Sequence, residues 1–70
     1  MLKMINKKDI ELIINFYQSI KLFDEDNIRQ IYESLEDKLL IFASIERDKI
    51  TSLLNVSLIN NNYHMEKVLY

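Results

Sequence analysis

The chain has 70 residues and contains no cysteine, no glycine and no proline. Without cysteine there is neither a disulfide framework nor a thiolate metal site, which fits a reducing compartment, and a cytoplasmic protein is expected. Without glycine and proline, the strongest helix breakers and the usual makers of hairpin turns are missing, which predicts an all-α fold. The same absence excludes a glycine loop that cradles a phosphate. Long apolar runs are also missing. Nothing approaches the roughly 18 to 20 residues needed to span a bilayer, and the amino terminus lacks the pattern of a secretory signal. With His64 the only histidine and no serine spaced to pair with a base and a carboxylate, no enzyme is expected. His64 and Glu66, two positions apart, would point to different sides of a helix, so no metal site and no cofactor are expected either.

What is present is a globular composition, 49% hydrophobic and 29% charged, with a formal net charge of −2. A chain this short forms one domain, residues 1–70, with a modest core that oligomerisation would support. Helix boundaries must then be written in capping residues. Asn6 with Asp9 three positions on caps a first helix over about 7–22. Its apolar arc is wide, and Ile10, Ile13, Phe16, Tyr17 and Ile20 are the expected contacts of a homodimer. Phe23 before Asp24, with Ile28 beyond, has the form of a hydrophobic staple opening a second helix. Ser34 with Asp37 resembles another capping box, which predicts a third helix carrying Leu39 to Ile45. Asp48 is positioned to cap a fourth, bearing Ile50, Leu53 and Leu54 and ending at Asn55, a residue that tolerates a left-handed backbone.

Residues Leu35 to Leu69 resemble the helical part of winged-helix repressors of the ArsR and MarR type. Leu39-Leu40-Ile41-Phe42-Ala43-Ser44-Ile45 looks like the helix before the motif and Ile50-Thr51-Ser52-Leu53-Leu54 like the scaffold helix. Asn55-Val56-Ser57 looks like the turn, and His64-Met65-Glu66-Lys67-Val68-Leu69 like the end of the recognition helix. The resemblance implies a wingless helix-turn-helix bundle of four to five helices, with the motif within about 48–70. Size and helix order are also similar to the TubR adaptors of plasmid and phage partition systems.

That reading predicts a sequence-specific DNA-binding dimer, a small regulator or a centromere binder, with the last helix in the major groove. Ser57 at a helix start would present backbone N–H groups to a phosphate. Asn60, Asn61 and Asn62 offer the donor and acceptor pair that reads adenine, so double-stranded, AT-rich DNA is the expected partner. Tyr63 adds a phosphate or thymine-methyl contact, and Arg47, Lys49 and Lys67 are the candidates for backbone phosphates. Six of the acidic residues lie within 24–37, from Asp24 to Asp37, with Arg29 alone against them. This segment is a candidate contact for a basic protein partner. The alternative reading is a helical protein-interaction module that inhibits or adapts another protein and does not bind DNA.

Overall fold

The computed structural model describes residues 1–69, and its architecture is α+β. Strand β1 (Leu2–Ile5) leads through a 3-10 turn (Lys7–Asp9) into helices α1 (Ile10–Ser19) and α2 (Glu25–Ser34). Three consecutive strands follow: β2 (Leu39–Glu46), β3 (Lys49–Ile59) and β4 (Asn62–Leu69). The four strands form one antiparallel sheet in the order β1-β2-β3-β4.

The all-α expectation is therefore overturned, at β1 and from residue 39 onward. The stretch expected to be the helix before the motif is β2, the expected scaffold and turn lie along β3, and the expected recognition helix is β4. Among the described residues from Asp48 onward there is no helix-turn-helix. The argument from missing glycine failed because other residues take the left-handed backbone. Arg47 and Asp48, at φ 53° and 63°, turn β2 into β3, and Asn60 and Asn61, at φ 51° and 63°, turn β3 into β4. Two consecutive positive φ values are the signature of a two-residue turn whose twist matches the flanking strands. Asparagine tolerates this conformation well; arginine does so at some cost.

The amino-terminal half follows its caps. The Asn6 side chain accepts from the Lys8 amide at 2.9 Å, and Asp9 accepts in return from the Asn6 amide at 3.2 Å. Asp24 opens α2 by accepting from the Asp26 amide at 3.0 Å. At the end of α1, Lys21 adopts φ 61°. Its amide donates to the Gln18 carbonyl, and the Leu22 amide donates to the Tyr17 carbonyl at 3.0 Å. This pair of bonds satisfies the last helical carbonyls in the arrangement that glycine usually completes.

Both helices pack on one face of the sheet. From α1 and α2, Ile13, Phe16, Tyr17, Ile28 and Ile31 are buried against Ile5, Ile41, Ala43, Ile45, Ile50 and Leu53 of the strands. Phe16 and Tyr17 meet edge to face, with ring centroids 5.7 Å apart. Along β2 the buried residues are Ile41, Ala43 and Ile45, every second position, as a strand with one covered face requires. The irregularity between Ser44 and Ile45 in the β2–β3 register leaves Thr51 unpaired, and its hydroxyl donates to the Ser44 carbonyl at 3.2 Å.

Candidate interaction surface

The other face of the sheet carries no helix among the described residues, and it is apolar. Because side chains alternate across a strand, the residues between the buried ones of β2, namely Leu40 and Phe42, point to this side. The register extends the pattern across the sheet. Met4 stands opposite Phe42 and Leu2 opposite Ser44 on one flank. On the other, Leu40 faces Val56 and Phe42 faces Leu54. These in turn meet Met65 and Lys67 of β4, while Leu58 faces Tyr63. The exposures are large for such side chains: Leu2 76%, Met4 56%, Tyr63 71%, Met65 73% and Leu69 63%. Short of the β2–β3 hairpin, the charged side chains on this face among the described residues are Lys67 and Lys38, whose carbonyl accepts from the Leu58 amide where β2 begins.

The covered face has a polar margin where β4 passes the helices. Asn55 of β3 stands opposite Glu66 of β4 and beside Tyr17 of α1. Burial raises the Tyr17 hydroxyl above its ordinary value; the Asn55 amide opposes this and the Glu66 carboxylate adds to it. The Asn55 Oδ1 atom is buried and has no hydrogen-bond partner among the described residues. Tyr17 and Glu66 also line a shallow cleft with Asp24, Asp26, Asn27 and Gln30, so the outer side of β4 borders an acidic surface.

The residues expected to touch DNA are not brought together. Arg47 and Lys49 lie at the β2–β3 hairpin, whereas Asn60, Asn61, Asn62 and Tyr63 lie at the β3–β4 hairpin, at the opposite end of the eleven-residue β3. Ser57 caps no helix; it sits within β3 opposite His64. Lys67 is on the apolar face, and Asn62 donates to the Asn60 carbonyl within its own turn, at 3.4 Å. Of the residues expected at a dimer contact, Ile13, Phe16 and Tyr17 are buried in the core, and Ile10 and Ile20 are half-buried against it. The acidic residues of α2 remain on its outer side, with Ile28 and Ile31 turned inward.

The sequence reading missed the apolar face itself. Its signal was present in Leu39-Leu40-Ile41-Phe42-Ala43, where both alternating sets are apolar, a pattern a two-faced strand and a buried helix share. No protein-family model, no curated protein and no solved structure matches this chain. No helix among the described residues is long and apolar enough to cross a membrane.

Proposed function

We propose that this chain is a non-catalytic protein-interaction module whose working surface is the uncovered face of its sheet. One observation carries the reading: a largely apolar layer from Leu2 to Leu69, broken by Ser44 and Ser52 and carrying, short of the β2–β3 hairpin, only the ammonium groups of Lys38 and Lys67 among the described residues. Strands of four, eight, eleven and eight residues, about 4.8 Å apart and rising about 3.3 Å per residue, give a footprint of about 500 Å². Apolar patches beyond a few hundred Å² on small monomers mark interaction sites, because removing such surface from water lowers the free energy. The expected DNA-binding role has less support. Its recognition helix is replaced by strands, its candidate residues lie at two ends of the sheet, and the net charge is −2.

The chain has no cysteine, so single thiols can report on each face. Val56→Cys and Met65→Cys place a thiol on the apolar face, and Glu33→Cys places one on the outer side of α2. Alkylation is timed inside cells and again on dilute purified protein. The reading predicts that positions 56 and 65 react slowly in cells and rapidly after dilution, while position 33 reacts rapidly in both. Equal reactivity of all three in cells contradicts it, and so does salt-sensitive binding to AT-rich duplexes that leaves both thiols reactive.

A further inference from the structure

The free edge of β4 carries more information than the apolar face beside it. Among the described residues, no strand lies outside β4, and its eight residues contain no proline and no register break. Edges left in this state pair readily with another strand, whereas β1, the opposite edge, is only four residues long.

The hairpin fixes which main-chain groups that edge offers. Asn60 and Asn61 form a two-residue turn closed by Ile59 and Asn62. Such a turn directs the Asn62 amide to the Ile59 carbonyl, and hydrogen bonding alternates along an antiparallel pair. The main-chain groups of Asn62, His64, Glu66 and Val68 therefore face β3. Those of Tyr63, Met65, Lys67 and Leu69 face outward, unpaired.

We infer that β4 pairs antiparallel with β4 of a second copy of this chain, in the register that sets Met65 opposite Met65, to form one eight-stranded sheet. The inference rests on reading the sheet as an interaction surface, and it names the partner. A two-fold axis normal to the sheet keeps each face continuous, so only residues of the same face can be opposed. Centring the axis on Glu66 would set two carboxylates against each other beside a cleft that already holds Asp24 and Asp26. Centring it on Met65 opposes His64 to Glu66 of the second copy, twice, on the covered face. On the apolar face it opposes Tyr63 to Lys67 of the second copy, also twice, a ring and an ammonium within reach of each other. The same register places the outward-facing Tyr63, Met65 and Lys67 in hydrogen-bonded positions, for about six intersubunit main-chain bonds. Charge thus favours this register over the one centred on Glu66, and the main-chain groups of the edge are satisfied in it. The two apolar faces then join side by side, which doubles the proposed interaction surface.

Sedimentation equilibrium of the full chain tests this, with two kinds of variant that leave the β3–β4 ladder whole. The Met65 amide points outward, so Met65→Pro removes only an intersubunit donor. His64→Glu sets carboxylate against carboxylate across the two-fold, and the exchange His64→Glu with Glu66→His restores the pair. Circular dichroism checks the fold of each. The chain is expected to sediment at twice 8.4 kDa, with dimerisation weakened at least about tenfold by Met65→Pro and by His64→Glu, and recovered to within about twofold by the exchange. A chain that stays at 8.4 kDa up to about 100 μM overturns the inference. A dimer indifferent to Met65→Pro overturns it as well, because the contact would then lie face to face. In either case, protection of the face thiols in cells would leave the interaction reading standing.

Discussion

Phe42 stands directly opposite Leu54 at the middle of the sheet, on the side away from both helices. One residue along, Ala43 stands opposite Leu53, and that pair is buried under α1 and α2. Neighbouring leucines on β3 thus belong to different layers, one inside the monomer and one on its surface.

Their truncations should separate accordingly. Leu53→Ala removes a side chain from a closed core and is expected to cost about 2 to 5 kcal/mol. Leu54→Ala, measured on the dilute monomer, should cost less than about 1 kcal/mol. Urea denaturation of the two variants at low protein concentration checks the difference. Equal losses would mean that the second face is closed within the monomer.

Lys21 occupies the left-handed position that ends α1. Its Cβ opposes that conformation, and glycine does not carry the penalty. Lys21→Gly is expected to stabilise the chain by about 0.5 to 1 kcal/mol, although glycine lowers stability in most helical contexts. Replacing Arg47-Asp48 by Asn-Gly should act in the same direction at the β2–β3 turn. Thermal melts of both variants check this; a lowered midpoint would contradict the assigned turn geometry.

Tyr17 links stability to alkaline pH. Burial raises its hydroxyl, with Asn55 opposing and Glu66 adding to the shift. The folded state therefore holds the proton after the unfolded chain has begun to lose it. The contribution is fully present below the ordinary value of 10.0 and is lost as pH rises through the raised folded value. Tyr17→Phe should flatten this alkaline loss and leave stability near neutral pH little changed. Denaturation midpoints from neutral pH upward provide the readout.

Asp9 acts at the acid end. Burial alone would raise its carboxyl, but the hydrogen bond from the Lys3 ammonium at 3.0 Å, the Asn6 amide and the nearby Lys3 charge together lower it. Its contribution is present above the ordinary value of 3.8 and is lost as pH falls through the depressed folded value. Asp9→Asn breaks the capping box and is expected to cost about 1 kcal/mol at neutral pH. The variant should also lose less stability than the parent on acidification, and a parallel acid dependence would contradict the assignment.

The two helices between Asn6 and Ser34 were legible because their caps are local, whereas β1, which pairs with the distant β2, was not. Asn6, Asp9 and Asp24 are caps whose partners lie two or three residues away, and the sequence shows both members of each pair. Beyond Leu35 the decisive partners are distant in the chain. Ile41 pairs with Asn55, and Asn55 with Glu66, and nothing short-range announces either. Absence of glycine also misled, since Arg47, Asp48, Asn60 and Asn61 make the turns it was expected to supply. The asparagine run was visible as a cluster, but its role in the structure is a hairpin tip. The apolar face escaped notice because strands that are apolar on both sides lose the alternation by which a strand is usually read.

The central claim is that the uncovered face is where this chain meets another protein. A photo-crosslinking amino acid in place of Val56, at the middle of that face, and another in place of Glu33 on α2, tests it most directly. After irradiation in cells, position 56 should yield discrete protein adducts whose mass identifies the partner, with a doubled chain mass if that partner is a second copy, and position 33 should yield none. Adducts from position 33 alone, or nucleic acid and no protein at position 56, would contradict the account.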